Sequence, residues 1–272
     1  MQKTLLITGS TDGLGLEAAR LLVSLGHRVL LHGRSRSKLE HAERELAALP
    51  GGGGVEAYAA DLAVLAEVEG LATAVAAAHP RLDVLVNNAG AFVARDVRTD
   101  DGLDLRFAVN TIAPYLLTQR LLPQLGPAGR VVNLSSAAQA PVDLGALAGD
   151  VALDAGAAYA QSKLALTMWS RALARSIGER GPTLVALNPG SMLGTKMVQE
   201  AFGVAGADVR IGADIIRRAA LSDAFSRASG ASGEYFDNDA GRFTAPHADA
   251  LDDRKAEEVV RAIEAVLARP RG

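Results

Sequence analysis

The chain has 272 residues, a formal net charge of −3 and no cysteine. The length suits one α/β domain, because such domains reach about 250 residues. The weak charge excludes a general electrostatic pull toward nucleic acid or an anionic membrane surface. The missing cysteine excludes disulfides, thiolate zinc sites and a cysteine nucleophile. Hydrophobic residues at 49% and charged residues at 22% describe a globular chain, neither disordered nor made of membrane spans.

Only four apolar residues precede Thr8, fewer than the roughly 7–15 of a signal peptide. No apolar run approaches the roughly 18 residues of a membrane span. A cytoplasmic protein with no membrane span and no nucleic-acid partner is the expectation.

Residues 4–8 (TLLIT) predict a buried strand, and Leu14, Ala18, Leu21, Leu22 and Leu25 follow at helical spacing until Gly26. Residues 27–32 (HRVLLH) read as a second strand, and Ser35 caps a charged helix running to about residue 49. The glycines at 51–54 form a flexible turn with no Gly-Lys-Ser/Thr behind them, so they are not a phosphate loop. A third strand covers 55–59, a helix 62–78 and a fourth strand 84–87. A helix over 102–121, bent or interrupted near Pro114, leads to strand 130–135 (RVVNLS). A long helix over 157–177, strand 183–188, a helix over 211–225, a short strand at 234–236 and a helix over 252–268 complete the pattern. The strands are continuous apolar runs, as in sheets covered on both faces. Their alternation with helices predicts a single domain over 1–272, α/β in class, with a doubly wound, Rossmann-type parallel sheet of seven strands.

Between the first strand and its helix lies Thr8-Gly9-Ser10-Thr11-Asp12-Gly13-Leu14-Gly15. Glycine tolerates positive φ and lets a phosphate approach the backbone, and a helix N-terminus offers unpaired N–H groups. Gly9, Thr11, Asp12, Gly13, Leu14 and Gly15 are therefore candidates to hold a pyrophosphate. Dinucleotide folds often carry an acidic residue about 20 positions further on, for the adenosine ribose. Here that position is Gly33, followed by Arg34. A small residue plus a guanidinium suits a 2′-phosphate, so NADP is the expected cofactor, with NAD as the alternative. The missing carboxylate argues against a methyltransferase.

The motifs that follow sit at successive strand ends. They are Asp61-Leu62, Asn87-Asn88-Ala89-Gly90, Asn110, Ser135-Ser136, Tyr159-x-x-x-Lys163 and Pro189-Gly190. With the glycine loop, this ordered set resembles the short-chain dehydrogenase/reductase family over essentially the whole chain. The resemblance implies a catalytic tetrad of Asn110, Ser136, Tyr159 and Lys163, with Ser136 rather than Ser135 as the second serine of the pair. It implies that Asp61 and Leu62 meet the adenine, and that Asn88, Ala89 and Gly90 line the ribose side. It further implies that Tyr159, Lys163, Pro189, Gly190 and Thr195 complete the cofactor site, and that Asn110 holds a water relaying protons to Lys163. Independently, Tyr159 and Lys163 are i and i+4 on one helix, about 5–6 Å apart at Cβ. A cation there is expected to lower the phenol pKa and tune it for proton transfer to a carbonyl oxygen.

Two features depart from the family pattern. Ser136 and Tyr159 are 23 residues apart, where many members have about ten fewer, which places an insert around 139–157. Inserts here, and the Gly233-Glu234-Tyr235-Phe236 tail, resemble the retinol-dehydrogenase-like and carbonyl-reductase-like branches. Thr195 lies six residues beyond Pro189 instead of the usual five, which calls for a one-residue bulge. Apolar residues in the insert and in a segment around 190–210 (Met192, Leu193, Met197, Val198, Phe202, Val204) read as a substrate lid.

The expected activity is NADP(H)-dependent hydride transfer to or from a small, hydrophobic carbonyl or alcohol. The alternative is a non-catalytic dinucleotide-binding regulator, which has no need to retain all four tetrad residues. There is no G-x-S-x-G elbow for a serine hydrolase. The histidines at 27, 32, 41, 79 and 247 show no metal-ligand spacing, so no metal is expected. Members of the family often pair through the long helix, so a homodimer or homotetramer is expected unless the insert obstructs that face.

Overall fold

The computed structural model describes residues 1–94 and 96–270. Strand β1 (Thr4–Ile7) leads through the glycine loop into α1 (Gly13–Ser24), whose N-cap Asp12 accepts from the Gly13 amide. Strand β2 (Arg28–Gly33) is followed by α2 (Arg36–Ala47), with the Ser35 side chain accepting from the Lys38 amide as its cap. Then come β3 (Val55–Ala59), α3 (Leu65–Ala78) and β4 (Val84–Asn87).

The helix expected to bend near Pro114 is irregular just before it. A short α4 (Leu105–Phe107) opens into a π-helical turn, Ala108–Ile112, and resumes as α5 (Ala113–Leu125). The Ala113 amide donates to the Ala108 carbonyl, one residue further back than in an α-helix. Proline lacks an N–H, so Pro114 cannot donate to the carbonyl of Asn110 four residues behind it. Wide turns of this kind recur at functional sites.

Strand β5 (Arg130–Leu134) precedes the insert, which folds into a single short helix, α6 (Leu144–Ala148). The long α7 (Ala155–Ile177), β6 (Thr183–Asn188), α8 (Lys196–Phe202) and α9 (Val209–Leu221) follow. Strands β7 (Tyr235–Asp237) and β8 (Arg242–Thr244) form a hairpin, and α10 (Ala248–Leu251) and α11 (Asp253–Leu267) end the fold.

The sheet order is β3-β2-β1-β4-β5-β6-β7-β8. The first seven strands are parallel, and β8 is an added antiparallel edge strand on β7. The seven expected strands therefore become eight. Strand order reverses between β1 and β4, and such a reversal opens a ligand crevice at the carboxyl ends of the strands.

Alternate strand residues enter two cores. Leu6, Leu30, Leu85, Val131 and Leu184 pack with α3, α5, α7 and α11. Leu5, Ile7, Leu31, Val86, Val132 and Val185 pack with α1, α2 and α9. Helix α11 places Ala256, Val259, Ile263 and Val266 into the first core beside Trp169 and Leu173 of α7, and Glu264 accepts from the Tyr115 hydroxyl at 2.8 Å. All nine residues from Ser162 to Ser170 are buried. The chain's own α11 thus covers part of α7. No helix among the described residues is long and apolar enough to cross a membrane.

Candidate active site

The glycine loop is held at a spacing that side chains would prevent. Gly9 sits at φ 64°, and a Cβ there would lie 2.9 Å from Cα of Ala89. A Cβ on Gly15 would lie 2.4 Å from the Gly9 carbonyl oxygen and 2.5 Å from Nδ2 of Asn88. Thr8 Oγ1 accepts from the amides of Asn88 and Ala89, both at 3.0 Å. Asn88 Nδ2 donates to the carbonyls of Thr8 and Gly9. The side chain of Asn88 therefore ties the loop to the end of β4 rather than pointing at a ligand. The Leu14 and Gly15 amides lie in the first turn of α1, where a helix leaves N–H groups free to meet an anion.

At the adenosine end, Arg34 is 76% exposed at its side chain and reaches Asp61 only at 3.9 Å. Lys38 pairs with Asp12 at 3.2 Å. Asp61 Oδ1 caps the Ala63 amide at 2.9 Å. Leu62 is buried in the core, so any contact of this residue with an adenine is through backbone. A Cβ on Gly33 would lie 2.7 Å from the Thr11 methyl, which gives that glycine a packing reason as well as the electrostatic one.

The four tetrad residues converge at the other end of the crevice. Tyr159 and Lys163 share one face of α7, with Nζ 5.7 Å from the phenol ring centroid. The Ser136 side chain lies beside the Tyr159 hydroxyl, close enough to lower the phenol pKa. Lys163 is buried and spends one of its three donors on the Leu134 carbonyl at 2.7 Å. Burial pulls its ammonium down to about 8, so it remains largely charged at neutral pH. Burial also pushes the Tyr159 phenol above its ordinary value, against the lowering from Ser136. The expected depression of the phenol by Lys163 is therefore not met in the chain alone, where desolvation prevails.

Ser135 and Ser136 separate cleanly. Ser135 is buried, with Oγ hydrogen-bonded to Thr167 Oγ1 at 2.7 Å and donating to the Lys163 carbonyl at 3.2 Å. Ser136 is half-buried beside the phenol. Asn110 uses its whole side chain as a brace. Its Oδ1 accepts from the Ala91 amide at 2.7 Å, and its Nδ2 donates to the Ala91 carbonyl and to Ser162 Oγ, both at 2.9 Å. A water held by Asn110 would have to use its backbone carbonyl, the group that Pro114 cannot bond.

The family model described as short chain dehydrogenase matches residues 3–203. The chain belongs to the short chain dehydrogenase family. It is 32% identical over 200 residues to Retinol dehydrogenase 13 of Homo sapiens, a match covering 69% of this chain and 58% of that protein. The likeness to the retinol-dehydrogenase-like branch is thus borne out. Coverage of the relatives is partial: the chain spans about half to two-thirds of the length of the curated relatives it matches. An uncharacterized protein from Mycobacterium paratuberculosis superposes with a TM-score of 0.79 at 27% identity, covering 97% of this chain and 93% of that one. A metagenomic short-chain oxidoreductase in complex with NADP superposes at 0.61 with 32% identity, covering 80% and 90%.

Within this short-chain dehydrogenase, the segment after β6 carries a local distortion before Thr195. Met192 adopts φ 53°, alone among the described non-glycine residues, and such a conformation is strained for a side chain of that size. Thr195 lies against the glycine loop, 3.8 Å from where a Gly13 Cβ would be. The base of the segment is closed by Gly194 donating to the Ala207 carbonyl at 2.6 Å and Ala207 donating to the Met192 carbonyl at 2.7 Å.

Several supporting contacts were not legible in the sequence, although His32 reads there as a packed strand-end histidine. His32 is buried, accepts from the Gly9 amide on Nδ1 at 3.1 Å and faces the Ala60 carbonyl with Nε2 at 3.1 Å. That pattern requires the neutral tautomer with its proton on Nε2, and burial pulls the imidazole down to about 4. Asp239, in the β7–β8 turn, accepts from the Ser191 amide at 2.9 Å, the Ser191 hydroxyl at 2.5 Å and Asn188 Nδ2 at 3.0 Å, while Asn238 donates to the Pro189 carbonyl at 2.9 Å. Tyr235 and Gln139 both donate to the Ser136 carbonyl at 3.0 Å. Only the Gly233–Phe236 tail hinted at this last contact.

Proposed function

We propose that this protein is an NADP(H)-dependent oxidoreductase that moves a hydride between the nicotinamide and a small, hydrophobic carbonyl or its alcohol. The observation that carries the reading is the convergence of Tyr159, Ser136 and Lys163 at one end of a crevice whose other end is an anion-ready glycine loop. NADP(H), when bound, supplies or accepts the hydride. Tyr159 donates its proton to the carbonyl oxygen as that oxygen gains charge, or takes it back from the alcohol. Ser136 donates to the same oxygen and orients it. Lys163 keeps a positive charge beside the phenol and holds two donors for hydroxyl groups of the cofactor. The segment over 190–210 and the insert over 139–157 serve as the lid and wall of the substrate site.

The bound NADP of the metagenomic relative and the exposed, loosely paired Arg34 support NADP over NAD. A charge-assisted hydrogen bond contributes roughly 1.5–3 kcal/mol, or about 10- to 150-fold in affinity. Dissociation constants for NADPH and NADH, measured by fluorescence on wild type and Arg34→Ala, test this reading. Wild type should prefer NADPH, and the variant should lose about that factor for NADPH alone. An equal loss for both cofactors would show that Arg34 does not meet the 2′-phosphate.

A further inference from the structure

Three aromatic rings run outward from the reacting residues. Phe92, two residues past Gly90, meets Tyr159 edge-to-face with ring centroids 4.7 Å apart at 82°. Phe202 stacks on Phe92, with centroids 5.9 Å apart and planes 18° from parallel. Phe202 is the last residue of α8, and it is 57% exposed despite this stacking. The helix that carries it has no buried residue. Its charged residues Lys196 and Glu200 pair with each other at 3.5 Å. Its other apolar contact is Met197, whose methyl lies 3.4 Å from where a Gly90 Cβ would be. Gly203 and Gly206, at φ 67° and 72°, follow directly. A large ring is thus pressed onto an aromatic surface next to the catalytic phenol by an element that little else anchors.

We propose that Phe202 occupies the seat of the substrate's own apolar group, and that this group is an aryl ring, or a ring of similar size, attached to the reacting carbonyl carbon. The inference rests on the oxidoreductase reading. Phe92 is one ring contact from Tyr159, so on this proposal a ring seated on Phe92 carries a directly attached carbonyl toward the phenol. Phe202 shows that the seat accepts a six-membered ring, and its exposure shows that giving up the contact uncovers little buried surface. Phe92 is the floor that the arriving ring keeps, and Phe202 is the plug that it displaces. A small aliphatic ketone does not reach the seat and leaves the plug in place.

A stacked aromatic pair is worth about 2- to 12-fold in an equilibrium constant. Binding of 2-acetonaphthone and of 2-butanone, measured by calorimetry with saturating NADP⁺ and again without it, reads the seat with no turnover. Phe202→Ala should bind 2-acetonaphthone tighter by about that factor and leave 2-butanone unchanged. Phe92→Ala should weaken 2-acetonaphthone by a similar factor. Wild-type NADP⁺ affinity and melting temperature in Phe202→Ala confirm that the change is local. Weaker or unchanged binding of 2-acetonaphthone to Phe202→Ala, or an equal shift for both ketones, overturns the plug. If wild type shows this binding pattern but never consumes NADPH with either ketone, the oxidoreductase reading fails and the seat survives. If it reduces both ketones and Phe202→Ala behaves as wild type, the seat fails and the oxidoreductase survives.

Discussion

The two ends of the crevice are held by different physics. At the glycine loop, buried polar groups lock the backbone: Thr8, Asn88 and His32 all bond directly to the loop or to its neighbour at the end of β4. In the segment over 190–210, apolar side chains on α8 rest on the surface, and firm bonds lie at the segment's base, through Ala207 and Asp239. Hydrogen-bonded networks in a low-dielectric interior are costly to break, whereas a helix without buried residues opens at small cost. On the proposed reading, this contrast divides the work between a fixed end for a cofactor of constant shape and a yielding end for substrate entry.

Adjacent serines give the largest test of that contrast, because one belongs to the frame and the other to the chemistry. Ser136→Ala should lower kcat by about 10²–10³, as loss of an oxyanion donor does, with little change in stability. Ser135→Ala should keep kcat near wild type and lose about 1 kcal/mol of stability, the usual worth of a buried hydrogen bond. Steady-state kinetics and urea unfolding on both variants decide it, and matching kinetic losses would dissolve the distinction.

His32 provides a smaller test, confined to the fixed end. Its ordinary pKa of 6.5 falls to about 4 in the folded chain, so the unfolded chain binds the extra proton first as pH drops. The stability held by neutral His32 is complete above pH 6.5 and is lost as pH falls toward 4. At 1.36 kcal/mol per pKa unit this amounts to on the order of 3 kcal/mol. His32→Leu should be less stable than wild type at pH 7, where the Gly9 amide loses its acceptor, and should lose less stability than wild type between pH 7 and 4.5. Urea unfolding at both pH values measures the difference. Parallel losses would mean that His32 does not clamp the loop.

The same contrast explains what the sequence made legible. Strand bounds at 84–87 and 183–188 match the structure because these strands are fully buried; the bounds at 55–59 also match, although β3 is a partly exposed edge strand that carries Glu56. The glycine loop was legible because Gly9 and Gly15 stand where no Cβ fits. Helix α8 was not: it has no buried face and so no apolar period to read. Strand β8 was missed because three residues, Arg242–Thr244, pair at an edge and carry no strand pattern. The π-helical turn was misplaced to Pro114 because proline marks the missing donor, while the widened turn lies at the acceptors before it. The roles of His32, Asp239 and Phe92 depend on partners 23 to 110 positions away, which spacing along the chain does not encode.

The central claim is that the two ends act together on one hydride transfer, with Tyr159 as the proton carrier. Its most direct test is the consumption of NADPH with a ketone substrate, followed at the nicotinamide absorbance, for wild type and Tyr159→Phe at matched, saturating cofactor. The phenylalanine ring keeps the packing against Phe92 and removes only the hydroxyl. Wild type should turn over, and the variant should bind NADPH normally while losing kcat by about 10²–10⁴, the range of a general acid–base group. A Tyr159→Phe enzyme with near wild-type kcat would contradict the account.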